Sequence, residues 1–125
     1  METVDLKRQW RHLYTPRQGR FELVDVPELP FLAIDGHIEP GSSPGTSEEF
    51  AANTAALYGL AYTLKFTFKK RAEAALDYPV MPLQGLWWVT DGRFELAKPD
   101  NWVYTLMILL PDVVGEDDVA AALAA

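Results

Sequence analysis

The spacing of apolar residues along the chain predicts a short helix followed by two strands. Apolar side chains recur at helical intervals in residues 1–15 and indicate an amphipathic N-terminal helix, whose apolar side is formed by Leu6, Trp10, Leu13 and Tyr14. Two β-prone runs, at 21–26 and 31–35, stand on either side of the sequence Pro27-Glu28-Leu29-Pro30. We expect the two runs to pair as an antiparallel hairpin.

A long helix is predicted after a loop rich in Pro, Gly and Ser at residues 37–46. Thr46 or Ser47 is a suitable N-cap, and we expect the helix to continue to residue 74. Its core-facing side chains recur at helical spacing: Phe50, Leu57, Ala61, Leu64 and Phe68. Gly59 is expected to let this helix pack closely on a sheet.

The strongest strand signals lie at residues 80–90 and 102–110, which are rich in aromatic and aliphatic side chains. The polar stretch 91–101 separates them, so we expect a second hairpin. Alternation along the earlier strand places Leu83, Trp87 and Val89 on one face and Gln84, Leu86, Trp88 and Thr90 on the other. A helical tail is predicted at 112–125, with an Ala-rich helix from Val119.

These elements together predict an α+β fold in a single domain that spans residues 1–125. One long helix is expected to pack on a small four-stranded, mostly antiparallel sheet, in the order strand, strand, helix, strand, strand. Short helices are expected at the N- and C-terminal ends. A chain of this length is expected to form one hydrophobic core.

Composition narrows the classes of partner. The formal net charge is −7, with 11 Lys and Arg against 18 Asp and Glu, which argues against direct binding of nucleic acid. The short basic groups, Lys7-Arg8 with Arg11 and Lys69-Lys70-Arg71, are explained by solvated helix faces. Cysteine is absent, so disulfides and thiolate metal sites are excluded. We find no membrane span and no targeting segment, and expect a cytoplasmic protein.

Six aromatic residues fall where a pocket is able to form: Tyr58, Tyr62, Trp87, Trp88, Trp102 and Tyr104. Aromatic faces bind flat hydrophobic ligands, and they equally fill ordinary cores. Trp87 and Trp88 are adjacent in a predicted strand and therefore face opposite ways, so both cannot fill one core. One of the two needs another partner, which is a ligand, a second subunit or a terminal helix.

Polar residues near these aromatics carry weaker signals. Gly85 in a strand indicates a bulge, a close approach to the backbone or a simple bend. Asp35 and Glu39 face either a cavity or solvent, and a carboxylate in an apolar cleft attracts cations or acts as a general base. Glu39 is the candidate catalytic residue. His12 and His37 lie in different elements without metal-ligand spacing, so we predict no metal and no cofactor.

Six segments carry a resemblance to a known family. They are Asp5-Leu6-Lys7 with His12-Leu13-Tyr14, Val24-Asp25-Val26-Pro27, Phe31-Leu32-Ala33-Ile34-Asp35-Gly36, Tyr62-Thr63-Leu64-Lys65-Phe66 and Met81-Pro82-Leu83-Gln84-Gly85-Leu86-Trp87-Trp88. In this order, from about Asp5 to about Val114, the chain resembles the GyrI-like small-molecule-binding family. The last two segments are the most specific.

The resemblance implies half of a duplicated strand-helix-strand-strand module. In that family two copies face each other across a groove for hydrophobic, often aromatic or cationic compounds. Some members sense or sequester drugs, and others hydrolyse cyclopropane-bearing genotoxins. The chain is similar to the first copy alone, so we expect a truncated product or a natural half, whose groove a homodimer or a missing second half-module completes. Gln84 stands where members often carry Glu, and Gln is no general base.

The expected function is therefore binding of hydrophobic or aromatic small molecules in an aromatic-lined groove, for sensing or sequestration. The expected ligand-binding residues are Tyr58, Tyr62, Phe66, Met81, Gln84, Trp87, Trp88, Trp102 and Tyr104. One alternative is a hydrolase of cyclopropanoid genotoxins in which Glu39 activates water. Another is a protein-interaction module that contacts a basic partner such as a topoisomerase subunit.

Overall fold

A computed structural model describes residues 1–125 as five strands and four helices. The strands are β1 (Glu2–Thr3), β2 (Phe31–His37), β3 (Leu76–Asp77), β4 (Gln84–Val89) and β5 (Trp102–Leu109). The helices are α1 (Leu6–Gln9), α2 (Arg11–Tyr14), α3 (Glu48–Lys69) and α4 (Glu116–Leu123). A single 3₁₀ turn, Pro99–Asn101, precedes β5. None of the helices combines the length and apolar character that crossing a membrane requires.

Helix α3 begins as predicted, because the Ser47 side chain accepts a hydrogen bond from the Phe50 backbone N–H at 3.0 Å. The predicted core stripe is confirmed: Leu57, Ala61, Leu64 and Phe68 are buried and Phe50 packs against the core. The predicted end at residue 74 is wrong, since α3 stops at Lys69. Ala74 has a positive φ of 54°, which no residue of a right-handed helix adopts.

The main sheet has three antiparallel strands in the order β2-β5-β4, so β5 is central. The predicted hairpin of the last two strands is confirmed by the β4–β5 pairing, which runs from Gln84–Met107 to Val89–Trp102. The predicted single four-stranded sheet is wrong. A separate two-stranded parallel sheet joins β1 to β3, and β5 already has a neighbour on each side.

Residues 21–26 do not form the predicted strand. They carry no regular structure, and every residue from 15 to 28 is exposed. The expected hairpin with 31–35 is therefore wrong as well, because β2 pairs with β5 from Phe31–Leu109 to His37–Val103. β-Propensity measures how well side chains suit a pleated, paired surface, and it supplies no partner strand.

The terminal helices also differ from the prediction. The expected N-terminal helix of residues 1–15 divides at Trp10, whose φ of −111° and ψ of 36° are not helical, into α1 and α2. In the tail, α4 begins at Glu116 rather than at Val119. The Asp118 side chain accepts a hydrogen bond from the Gly115 backbone N–H at 2.9 Å, which caps the helix earlier than the Ala-rich run.

Helix α3 covers one face of the main sheet, which we call the inner face. Side chains alternate along each strand, so the inner face is formed by Leu32, Ile34, Gly36, Gly85, Trp87, Tyr104, Leu106 and Ile108. The opposite, outer face carries Ala33, Asp35, His37, Gln84, Leu86, Trp88, Val103, Thr105 and Met107. Gly59 is exposed on the solvent side of α3, so its expected role in packing on the sheet is wrong.

Candidate functional site

The outer face brings an apolar surface and a carboxylate together. Strand pairing sets three rows across the sheet: Ala33-Met107-Gln84, Asp35-Thr105-Leu86 and His37-Val103-Trp88. Leu86 is 56% exposed and Trp88 is 40% exposed, so both side chains are accessible on β4. Because adjacent strands lie about 4.8 Å apart, β2 and β4 are roughly 10 Å apart. A flat molecule of one or two rings matches this span.

Asp35 supplies negative charge on the β2 side of the outer face. The Thr105 hydroxyl donates a hydrogen bond to Asp35 Oδ1 at 2.5 Å, across the directly paired strands. This bond occupies one carboxylate oxygen and holds the group beside the middle of the sheet, while Asp35 remains exposed. The carboxylate is thus placed to attract a cationic group on a molecule that covers the outer face.

One end of the outer face is closed by α2. The Tyr14 hydroxyl donates a hydrogen bond to Gln84 Oε1 at 2.5 Å and joins the helix to the first residue of β4. Burial raises the pKa of Tyr14, so its hydroxyl remains a neutral donor at physiological pH. The side-chain carbonyl oxygen of Gln84 is therefore already hydrogen-bonded. The side-chain N–H groups of Gln84 are left as donors on the outer face.

The inner face holds a packed aromatic cluster formed by Phe50, Trp87, Trp102 and Tyr104. The Trp87 ring centroid lies 5.5 Å from Phe50, 5.7 Å from Trp102 and 5.2 Å from Tyr104. Phe94 stacks on Trp102 at 4.6 Å, and the buried Trp102 indole N–H has no partner. Trp87 thus packs in the core, and the adjacent Trp88 faces outward, as alternation along a strand requires.

Two glycines make room for the inner cluster. A Cβ on Gly36 would lie 2.4 Å from the Tyr104 hydroxyl oxygen, and a Cβ on Gly85 would lie 2.6 Å from Trp87 Nε1. The close-approach interpretation of Gly85 is therefore the one that matches the structure, and the approaching group is the ring two residues later. The β4–β5 register advances one residue at a time through Gly85, so no bulge occurs there.

Tyr104 links the inner cluster to α3. Its hydroxyl accepts a hydrogen bond from Asn53 Nδ2 at 2.9 Å, and the side chain is fully buried. Burial raises the pKa of Tyr104, although the Asn53 hydrogen bond opposes the shift. The residue is a neutral structural contact between sheet and helix rather than a free ligand group.

The remaining aromatic predictions lie away from the outer face. Tyr58 accepts a hydrogen bond from the Leu83 backbone N–H at 3.3 Å, and Met81 is fully buried. Tyr62 and Phe66 stack at 6.4 Å and are exposed on the helix α3. The nine predicted ligand-binding residues are thus dispersed over the molecule, and only Gln84 and Trp88 share the outer face. Sequence reasoning did not assign Tyr14 or Leu86 to the site.

Glu39, the candidate catalytic residue, contacts the N-terminus of α3. Its carboxylate accepts hydrogen bonds from the Ser47 hydroxyl at 2.6 Å and from the Glu48 backbone N–H at 3.0 Å. The bond from Ser47 is the main cause of a lowered pKa for Glu39. A lowered pKa makes a carboxylate a weaker base, so this environment favours an ionised capping group. No cluster of three or more metal-ligating side chains occurs in the chain.

A partly open cavity of about 330 Å³ lies beside the C-terminal end of α3. Its walls include Leu6, Trp10, Phe68 and Leu109, and none of the nine predicted residues. Arg71 at its edge is already engaged, because it pairs with Asp118 at 2.9 Å and lies 3.7 Å from the Phe68 ring centroid. The apolar side of the N-terminal helix was the one sequence signal for this cavity.

Comparison with known proteins gives structural neighbours but no family assignment. No family model matches the chain, and no curated protein matches it. An uncharacterized conserved protein from Listeria innocua is similar with a TM-score of 0.81 and 32% identity, over 95% of this chain and 56% of that one. Two proteins from the same organism, each described as a hydrolase, give TM-scores of 0.78 and 0.72.

The two hydrolases are 31% and 30% identical to this chain, of which 98% and 95% are covered, against 58% and 56% of their own chains. The chain therefore spans little more than half the length of the solved structures that it matches. It shares the fold of the corresponding part of these Listeria proteins.

Proposed function

We propose that this chain is a GyrI-like small-molecule-binding module that holds a flat hydrophobic or aromatic compound against its outer face. One observation carries the proposal: the Trp88 indole points away from the core, is 40% exposed, and shares a sheet face with the exposed Leu86. Indole and leucine side chains together offer a large apolar contact area at a low cost in conformational entropy. Both side chains therefore leave apolar surface that a ligand can contact.

The charge of the outer face favours ligands that carry a positive group. A ring stacked on Trp88 and Leu86 extends across Val103 and Thr105 toward Asp35 on β2. A carboxylate at that edge attracts an amine or quaternary ammonium group, and the net charge of −7 raises the local concentration of cations. Aromatic cations are therefore the ligand class that best matches both sides of the face.

Replacing the outward tryptophan tests this proposal. Trp88→Ala is expected to weaken binding of an aromatic cation, chosen from a panel by calorimetry, by about tenfold, because the main stacking surface is removed. Tyr62→Ala is the matched control, since it deletes a similarly exposed aromatic ring from α3. Its affinity should equal that of the unmodified chain. Equal losses in both variants, or no binding across the panel, would refute the proposal.

A hydrolase is the second candidate, because two of the structural neighbours are described as hydrolases. The substrate class implied by the resemblance is the strained cyclopropane electrophile, whose ring opens when water attacks a ring carbon. The carboxylate takes a proton from that water, and the ring-opened carbon accepts a proton in return. Two carboxylates come into question: Glu39, which caps α3, and Asp35, which lies on the outer face beside the apolar residues of β4.

Turnover of a cyclopropanoid test compound separates these two carboxylates. Asp35→Asn is expected to abolish turnover, because it removes the basic group from the outer face without changing its size. Glu39→Gln is expected to retain turnover, since Glu39 is engaged by Ser47 and Glu48. The opposite pattern would assign the base to Glu39. Turnover is measured by mass spectrometry of the test compound and its product. If the unmodified chain gives no turnover, the hydrolase candidate is eliminated.

A further inference from the structure

Residues 21–26 form an unpaired strand-like segment on the surface. The sequence Phe21-Glu22-Leu23-Val24-Asp25-Val26 has strong β-propensity, yet no backbone hydrogen bond involves residues 21–29. Phe21 and Leu23 are fully exposed, at 106% and 103%. Large apolar side chains in this state gain none of the stabilisation that burial gives, so a partner that buries them would stabilise the segment.

The main sheet offers two open edges for such a partner. β2 and β4 each pair with β5 alone, so the far edge of each strand has no neighbour. Within the main sheet, the exposed large apolar side chains are Leu86 and Trp88, both on β4. The exposed outward residues of β2 are small or polar: Ala33, Asp35 and His37. An added apolar strand therefore gains more by pairing with β4 than with β2.

We propose that two copies of this chain exchange these segments, so that residues 21–26 of each copy form a fourth strand beside β4 of the other. Each copy carries one unpaired segment and one open apolar edge. Two copies related by a twofold axis can therefore pair both segments with both edges. Such an exchange closes between two copies, because each segment and each β4 edge is then used once. The exchange gives each main sheet a fourth strand that the partner supplies, at the β4 edge rather than beside residues 31–35 of the same chain.

Charge favours a second copy as the occupant, because the basic residues 7–20 of one copy are complementary to the acidic remainder of another. Residues 7–20 contain five of the 11 Lys and Arg residues and no acidic residue, so the rest of the chain is strongly acidic. Arg8, Arg11, Arg17 and Arg20 line one open groove, and none of them takes part in an ion pair. A basic arm that leads into the exchanged strand offsets the repulsion between two acidic bodies.

Solution mass and a strand-breaking variant test the exchange. By light scattering the unmodified chain is expected to have twice the mass of one chain at micromolar concentration. Leu23→Pro removes a backbone donor from the segment and is expected to raise the dissociation constant at least tenfold. Its near-UV circular dichroism should stay unchanged, because residues 21–26 make no contact with the core. Gln18→Pro, in the same exposed arm, is the matched control and should remain dimeric.

Cross-linking identifies the paired edge. The chain has no cysteine, so single cysteines introduced on separate chains react only as designed. A mixture of Val24→Cys and Leu86→Cys chains is expected to give a heterodimer with a short bismaleimide, whereas Val24→Cys with Ala33→Cys should not. A monomeric unmodified chain, a dimer that survives Leu23→Pro, or cross-linking to position 33 in place of 86 would overturn the exchange. So would unfolding by Leu23→Pro, since the segment would then belong to its own sheet.

Discussion

Trp87→Ala is expected to lower the free energy of unfolding by about 3 kcal/mol, the low end of the usual range for a buried aromatic residue, because Trp87 is only partly buried. The loss has two sources. The ring is in contact with Phe50, Trp102 and Tyr104, and its removal leaves a cavity that the surrounding rings cannot fill. Urea denaturation followed by far-UV circular dichroism measures the change.

Trp88→Ala is the matched control for this experiment, because it deletes the same side chain one position later in the same strand. Trp88 lies on the outer face and is partly exposed, so its removal is expected to cost about 1 kcal/mol or less. Equal destabilisation by the two variants would contradict the division of the sheet into an inner and an outer face. The pair thus tests the central structural claim on which the proposed site depends.

Gly36→Ala is expected to lower the free energy of unfolding by about 1–3 kcal/mol, as is typical when atoms are forced into a filled core. The new Cβ would lie 2.4 Å from the Tyr104 hydroxyl oxygen and 2.8 Å from Asn53 Nδ2. Tyr104 must then move, and the hydrogen bond from Asn53 is stretched or lost. The cost comes from lack of space alone, since Gly36 does not have a positive φ.

Gly59→Ala is the control, and its expected effect has the opposite sign. A Cβ at Gly59 meets no atom within 4 Å, and the residue lies inside α3. Alanine is a better helix former than glycine, so this variant should be more stable by about 0.5–1 kcal/mol. Thermal or urea unfolding of both variants under one condition makes the comparison. Destabilisation by Gly59→Ala would mean that α3 is covered on its solvent side.

The sequence was most informative where local pattern and tertiary environment agree. The start of α3 was predicted at Thr46 or Ser47, of which Ser47 is the cap, because a capping side chain acts on backbone groups a few residues away. The β4–β5 hairpin was predicted because its strands are close in sequence and strongly apolar. The opposite orientation of Trp87 and Trp88 required only that the segment be a strand.

Pairing between segments that are distant in sequence was not predictable from these patterns. Residues 21–26 have as much β-propensity as β2, and the difference between them is which segment reaches β5. The aromatic residues illustrate the same limit at the site. Trp102 and Tyr104 belong to the core and Trp88 to the outer face, but hydrophobic side chains of either role produce the same sequence signal. Tyr14 joined the site through a contact with Gln84, 70 positions later.

The central position of β5 constrains when the protein can fold during synthesis. β2 is made early, yet the strand that holds it in the sheet ends only at Leu109. Until that strand has left the ribosome, β2 and β4 have no common neighbour, and α3 has no inner face to cover. The nascent chain therefore exposes the apolar side of α3 from the time Lys69 is made until β5 has emerged, and in that interval the exposed surface is open to non-specific association.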